Sequence, residues 1–271
     1  MVRKEDDTTK VHLSEISSIV LQTNQVYISA YLLSELAKEK ISFVVADEKC
    51  SPIGHYLPLY GSHNTSKRIA EQLEWGEPIK KRVWQRVVKD KIAHQGMILN
   101  ARAREAEGEV LLGLVPEVRS GDTTNREASA ARIYFQALFG PGFSRDDDTP
   151  VNAALNYGYS ILLSAVSREI VSRGYLTQCG ICHRNEYNQF NLSCDLMEPF
   201  RPIVDRLVFD NIGDSFEKED RYLLVDMLNQ SVSYRGGMYR IGSVIGLYVQ
   251  DCFAALNRRL SIDEIEPFDV L

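Results

Sequence analysis

The stretch Thr149-PVNAALNYGYSILLSAVSREIVS-Arg173 decides how the rest of the chain is interpreted. Thr149-Pro150 is a turn signal, and the apolar side chains that follow recur at helical spacing, which predicts a helix over 151–173. The apolar run is interrupted at Asn156, Ser160 and Ser164. It therefore falls short of the roughly 18 apolar residues that cross a bilayer, and it predicts a long helix in a soluble protein.

Working outward from this helix, the chain divides into two parts. Helical periodicity predicts further helices at 65–75, 79–106, 125–139, 194–209, 215–229 and 239–259, separated by turns at Gly140-Pro141-Gly142 and Gly236-Gly237. The first sixty residues instead carry short β-type runs around one amphipathic helix. The predicted fold class is α+β, with a small β-rich N-terminal domain (1–62) and a larger all-α domain (63–271). The runs are Val11–Leu13, Ser18–Gln22 and Ile41–Ala46, the helix is Ser29–Glu39, and the domains meet near the turn at Gly61–Asn64.

Composition narrows the function classes. With 271 residues, of which 44% are hydrophobic, the chain can bury a core without cross-links. The five cysteines are an odd number, and no secretory leader is visible, so we expect a reducing, cytoplasmic location and no membrane association.

The net charge of −6 argues at first sight against a nucleic-acid partner. The charge is unevenly distributed, however, because residues 67–91 contain eight basic and four acidic side chains, whereas residues 205–226 contain seven acidic and three basic ones. A solvated helix face is the usual meaning of such a basic run, but the same face would suit a DNA backbone. The candidates for backbone contacts are Lys80, Lys81, Arg82 and Arg86.

The segment Cys179-Gly-Ile-Cys182-His183 permits three interpretations. Its spacing matches covalent haem attachment, but the absence of a leader argues against that chemistry. Addition of Cys194 would give a thiolate and imidazole zinc site, although structural zinc sites usually have a pair of ligands on both sides. The favoured interpretation is that Cys179 and Cys182 are small apolar residues on a buried turn.

His183 also belongs to a second candidate set, with Asp195 and Glu198. If Ser193 caps a helix, the two carboxylates project from one face, and imidazole together with carboxylate suits Mg²⁺ or Mn²⁺. Pro199 predicts a kink beside them. The alternative is that Asp195 lies in a first helical turn only because the helix dipole favours acids there, and spacing alone favours this alternative.

Glu127 has a structural interpretation too. Thr124-Asn-Arg-Glu127 matches a capping box, in which Glu127 would bond back to the amide of the capping residue. Taken alone, this motif identifies Glu127 as a structural residue.

Three ordered segments nevertheless resemble the CRISPR-associated integrase family. They are Asn125–Gly140, Asn152–Leu162 and Phe190–Asp205. The similarity extends from about His12 to the last helix. It is greatest to members that are encoded beside a single-protein RNA-guided effector nuclease.

The resemblance implies a metal-dependent DNA endonuclease and integrase that inserts captured fragments into a repeat array. By motif position, Glu127, His183 and Glu198 would hold Mg²⁺ or Mn²⁺, with Asp195 as an auxiliary group. The implied partners are double-stranded DNA, a second copy of the chain, a small second adaptation protein and the effector nuclease. The alternative is a non-catalytic DNA-binding scaffold of the same complex.

The N-terminus departs from the family pattern. Family members begin with a further pair of strands, whereas the charged stretch Met1–Lys10 has no strand signal. We therefore expect the N-terminal domain to lack its first strands.

Overall fold

The structure is a computed structural model in which residues 2–4, 7–16, 18–21, 25–46, 52–59 and 62–271 are described. It is a helix-dominated α+β fold, as predicted. Over the described ranges, no helix is both long enough and apolar enough to cross a membrane.

In its described residues, the N-terminal part contains five short strands and one α-helix. Strands β1 (Val2–Lys4) and β2 (Asp7–Thr9) form an antiparallel pair, and β3 (Ser18–Leu21), β4 (Ser42–Ala46) and β5 (Pro52–Tyr56) form a sheet in which β3 is parallel to β4. Helix α1 (Ala30–Lys38) connects the parallel strands. A small core of its own includes Leu36, Ile41 and Phe43.

Three predictions for this part were wrong or incomplete. The stretch Met1–Lys10 does contain strands, because pairing between β1 and β2 compensates for the weak pattern of each. Residues Val11–Leu13 are not a strand, since a 3-10 turn begins at Leu13. Strand β5 was missed, and Gln22 and Gly61 lie outside the described residues.

The remainder of the chain is mainly helical. Its helices are α2 (Thr65–Leu73), α3 (Glu77–Ala101), α4 (Glu105–Leu114), α5 (Arg126–Phe139), α6 (Pro150–Ser172), α7 (Asn191–Met197), α8 (Arg201–Asn211), α9 (Lys218–Asp226) and α10 (Ile241–Leu256). A hairpin of β6 (Ser231–Tyr234) and β7 (Gly237–Arg240) precedes α10.

Helix α6 lies at the centre of the larger core. Thr149 caps it by accepting a hydrogen bond from the amide of Asn152 at 3.2 Å. Its buried face packs against α7, α8, α9 and α10. The N-terminal sheet also lies against α6, where the Nε2 atom of His55 is 2.7 Å from the hydroxyl of Ser164. Ser164, one of the three polar residues that interrupt the apolar run, thus contacts the sheet. The division of the chain into domains at residue 62 stays a prediction.

Replacing Gly158 by alanine should destabilise the protein by about 1–3 kcal/mol, because overpacking a tight core forces side chains from their preferred positions. A Cβ atom at Gly158 in α6 would lie 2.4 Å from Cγ1 of Val204 in α8. The matched control is Gly113→Ala in α4, where a Cβ atom meets nothing within 4 Å and alanine is the better helix former. Thermal unfolding of both variants is the measurement. An unchanged melting temperature for Gly158→Ala would contradict this contact between α6 and α8.

Candidate active site

The candidate site lies where α3, α5 and the segment from α7 to α8 meet. Lys91 of α3 is 6% exposed, and its ammonium group bonds both Glu127 and Glu198. The distance from Nζ to Oε2 of Glu198 is 2.5 Å. The structure therefore brings the first and last of the predicted ligands together around one buried cation.

Glu127 does not close a capping box, contrary to the prediction. Helix α5 begins at Arg126, so Thr124 is not its cap, and the carboxylate of Asp122 accepts the amides of Arg126 and Glu127 instead. Asn125, which precedes the helix, has a left-handed backbone with φ of 51°. Because Asp122 does the capping, the carboxylate of Glu127 is free to bond Lys91.

Asp195 organises the loop that carries His183. Its fully buried carboxylate accepts three successive backbone amides, those of Ile181 (2.6 Å), Cys182 (3.0 Å) and His183 (3.1 Å), and it also bonds Nδ1 of His183 at 2.6 Å. Since an ionised carboxylate can only accept, the Nδ1 atom carries a proton and Nε2 keeps its lone pair. This hydrogen bond raises the pKa of His183 above its ordinary value.

The loop requires glycine at position 180. A Cβ atom there would lie 2.3 Å from the carbonyl oxygen of His183 and 2.8 Å from Oδ2 of Asp195. The ring of Trp84 in α3 packs edge to face against the imidazole of His183, with 5.8 Å between the ring centroids. The imidazole remains 46% exposed and so accessible to a substrate.

Glu198 occupies a single 3-10 turn between α7 and α8. Pro199 stands second in this turn, so the α-helical hydrogen bonding is interrupted at the position where a kink was predicted, and the kink itself stays a prediction; α7 begins at Asn191, and Ser193 is therefore not its cap. Ser193 is buried and accepts a hydrogen bond from Ser167 at 2.8 Å. The carboxylate of Glu198 lies against Lys91 on one side and Arg201 on the other, where Arg201 Nε lies 3.1 Å from Oε1.

The charges in this cluster offset one another. Burial alone would raise the pKa of Glu198, but Lys91 and Arg201 outweigh it, and the pKa lies below its ordinary value. Burial alone would lower the pKa of Lys91, but Glu198 and Glu127 raise it, so the ammonium stays charged at neutral pH. The cluster is thus two carboxylates balanced by two cations.

A second cluster of buried side chains lies beside the cluster around Lys91. Asp205 of α8 accepts a hydrogen bond from the hydroxyl of Tyr159, and burial raises the pKa of Asp205 to about 6. The ring of Tyr159 lies between two guanidinium groups, with Arg201 at 4.7 Å and Arg145 at 5.5 Å from its centroid. Arg201 therefore connects the two groups.

Carboxylate and imidazole donors are the kinds of group that a divalent cation such as Mg²⁺ or Mn²⁺ takes. Two carboxylates converge on a position that a buried ammonium already occupies, and the orientation of His183 leaves Nε2 as a neutral nitrogen donor. Within the described part of the chain, however, no three His, Cys, Asp or Glu side chains form a compact ligand group. Lys91, whose ammonium is held between Glu127 and Glu198, is a fourth member of this arrangement.

The cysteines among the described residues do not form a comparable group. Cys179, Cys182 and Cys194 are free thiols, and Cys182 is exposed, so the prediction of a buried turn was wrong for that residue. Partial desolvation together with Asp195 raises the pKa of Cys182 to about 11, which disfavours the thiolate that zinc would need.

The predicted DNA-contact residues differ in their surroundings. Lys81 and Arg82 are exposed on α3. Lys80 is half-buried and lies 3.5 Å from Glu77, and Arg86 donates to the buried Asp90 at 2.9 Å. Lys81 and Arg82 are therefore accessible to a DNA backbone, whereas Arg86 already has an internal partner.

Sequence reasoning missed Lys91 and Arg201. Lys91 was counted only as part of a basic run, yet it stands four residues after Val87 and seven after Trp84, which places it on the apolar face of α3. A lysine in that register indicates a buried partner of opposite charge. Arg201 stands three residues after Glu198, which is a spacing for an ion pair on one helix face.

Comparison with known proteins identifies the family of the chain. The family model described as CRISPR associated protein Cas1 matches residues 1–224. The CRISPR-associated endonuclease Cas1 of Neisseria meningitidis is 41% identical over 208 residues, which cover 77% of this chain and 68% of that protein. A Cas1 endonuclease of Pyrobaculum aerophilum is 28% identical over 228 residues, covering 77% and 74% of the two chains.

Solved structures show the same fold. A casposase bound to integration product superposes with a TM-score of 0.77 at 19% identity, covering 94% of this chain and 83% of that one. A chain of a Cas6-RT-Cas1–Cas2 complex gives 0.72 at 21% identity, covering 98% of this chain and 34% of that one. Since the family model spans most of the sequence and the Neisseria protein shares two-fifths of the aligned residues, the chain belongs to the Cas1 family of CRISPR-associated proteins.

Proposed function

We propose that this chain is a metal-dependent DNA endonuclease and integrase of CRISPR adaptation, which inserts captured DNA fragments into a repeat array. The observation that carries the proposal is the convergence of Glu127 and Glu198 on one buried cation, beside a histidine whose tautomer Asp195 fixes. Relatives named as Cas1 endonucleases and a fold neighbour bound to an integration product support it. In the proposal, Glu127, His183 and Glu198 hold Mg²⁺ or Mn²⁺.

The bound ion would neutralise charge on the scissile phosphate and help to align the attacking and leaving oxygens. The residues of the chain do the positioning. Asp195 keeps the proton on Nδ1 of His183, and Glu198, in the 3-10 turn before α8, is held by Lys91. Arg201, 31% exposed, can meet a phosphate oxygen from the side of Tyr159. The attacking group is the 3′-hydroxyl of the captured fragment in integration and water in cleavage.

The proposed partners follow from the same comparisons. Two fold neighbours are complexes whose names include Cas1 and Cas2, which supports a small second adaptation protein as a partner. A homodimer, double-stranded DNA and an effector nuclease complete the proposed assembly. A non-catalytic scaffold is the second candidate, and an arrangement with both carboxylates and the oriented histidine disfavours it.

Replacing His183 by alanine should abolish joining of a short duplex to a supercoiled plasmid carrying the repeat, assayed with the small partner protein and Mn²⁺. The loss arises because the imidazole is the only nitrogen donor among the three proposed ligands. His63→Ala is the matched control, since His63 lies in the turn before α2. Duplex binding without joining by the unmodified protein would favour the scaffold instead.

Activity should fall as the pH is lowered, because only neutral imidazole binds the ion. Asp195 raises the pKa of His183, so protonation begins at a higher pH than for an ordinary histidine. Cleavage of branched DNA between pH 5 and pH 8 measures the effect, with duplex binding followed in parallel. Undiminished metal-dependent cleavage well below pH 6 would exclude His183 as a ligand.

A further inference from the structure

Lys91 is nearly buried, and its ammonium group contacts both carboxylates that are proposed to hold a divalent ion. Its ammonium bonds one oxygen of Glu127 and, at 2.5 Å, one oxygen of Glu198. Lysines are almost never buried unless they are paired, and here both partners are proposed metal ligands. The two carboxylates come from α5 and from the 3-10 turn before α8, while Lys91 comes from the middle of α3.

We infer that Lys91 is an internal counter-cation that holds Glu127 and Glu198 together when no divalent ion is bound and competes with that ion for both carboxylates. The inference rests on the proposed metal site and goes beyond it by assigning a role to a residue outside the ligand set. It makes Lys91 a determinant of metal affinity.

The competition follows from charge and space. Without Lys91, two carboxylates would face each other across a buried gap, and their repulsion would be relieved by a divalent ion. With Lys91 present, the lone pairs that point into the gap are already engaged, and Arg201 adds a second positive charge beside Glu198. An entering ion must therefore displace the ammonium from at least one carboxylate and must tolerate both cations.

The same balance couples metal binding to DNA. A phosphate group adds negative charge beside a cluster in which two carboxylates already face two cations. It therefore offsets the repulsion between the divalent ion and the two side-chain cations. We expect the ion to bind more tightly when duplex is present, so that the protein without DNA holds less metal.

The test is calorimetric titration of the full chain, free of DNA, with Mn²⁺. Lys91→Met removes the charge while keeping a long apolar side chain. We expect the dissociation constant of this variant for Mn²⁺ to be at least about tenfold lower than that of the unmodified protein, because the repulsion between Mn²⁺ and the Lys91 ammonium is lost. The matched control is Lys67→Met, which removes the same charge from an exposed position on α2. Its dissociation constant should stay within about twofold of the unmodified protein, because exposed charges are screened.

The outcomes separate this inference from the proposed function. Equal or weaker Mn²⁺ binding by Lys91→Met, with binding that still depends on His183, would overturn the role of Lys91 alone. Binding that is unaffected by His183→Ala would overturn the metal site itself.

A second measurement covers the case in which Lys91→Met does not fold without metal. In a crystal structure of the unmodified protein with Mn²⁺, we expect the ammonium of Lys91 to have left at least one carboxylate. Retention of both contacts in the metal-bound protein would overturn the inference.

Discussion

Replacing Asp195 by asparagine should lower integration activity and Mn²⁺ affinity by about 10- to 100-fold, the usual cost of removing a carboxylate that orients a metal-binding histidine. Both oxygens of Asp195 accept hydrogen bonds, from the amides of Ile181, Cys182 and His183 and from the imidazole. Asparagine would present an NH₂ group to donors on one side whichever way it is turned. The loop would then lose the geometry that orients the imidazole of His183.

Calorimetry with Mn²⁺ and the plasmid-joining assay measure the two effects. Asp214→Asn, at an exposed position between α8 and α9, removes the same charge and should change neither quantity. The melting temperature should also fall for Asp195→Asn, because a buried donor left unpaired costs about 1–3 kcal/mol. Normal metal affinity in a folded Asp195→Asn protein would show that the tautomer of His183 is fixed by some other group.

Replacing Asp205 by asparagine should remove a pH dependence of stability worth about 3 kcal/mol, the equivalent of a shift of roughly two pKa units. Burial raises the pKa of Asp205 from its ordinary value of 3.8 to about 6. Between these values the folded protein holds a proton that the unfolded chain has released. The contribution of Asp205 therefore favours folding more strongly below pH 4 and progressively less as the pH rises to 6.

Chemical denaturation at pH 4 and pH 7 gives the free energy of unfolding of the unmodified protein and of Asp205→Asn. The change with pH in the difference between these two free energies measures the contribution of Asp205. We expect the unmodified protein to lose stability relative to Asp205→Asn as the pH rises, since the asparagine does not titrate. Asp214→Asn again serves as the control, because an exposed carboxylate gives no comparable difference. A constant difference across this range would mean that Asp205 is ionised in the folded protein at pH 4 as well.

Local sequence signals identified most helices but not the interruptions between them. Periodicity predicted one helix over 79–106, whereas Ala103 adopts a left-handed backbone with φ of 56° and separates α3 from α4. Close packing of α3 on α4, at Gly96 and Gly108, accompanies this turn. The hairpin of β6 and β7 was missed for a related reason, because four-residue strands are too short to establish a period.

The site shows what a motif can and cannot specify. The ligand positions came from family resemblance, since Glu127 matched a capping box and Asp195 matched a helix-dipole preference. In the structure, Asp122 takes over the capping, and Asp195 faces the preceding loop. The sequence does not reveal either hydrogen-bonding role, because each depends on which backbone amides the completed fold brings within reach. The role of Lys91, by contrast, was accessible from its register on the apolar face of α3.

The site is assembled from segments that are far apart in the chain, and this has a consequence during protein synthesis. Lys91 and Glu198 are separated by 107 positions, and the hydroxyl of Tyr248 in α10 still has to reach Asp90, next to Lys91, at 2.8 Å. A ribosome-bound chain that has emerged only through α6 lacks His183 and Glu198 altogether. A chain that ends before α8 therefore lacks part of the candidate site, and only a chain that also includes α10 can form the contact that holds the Lys91 region of α3 in place.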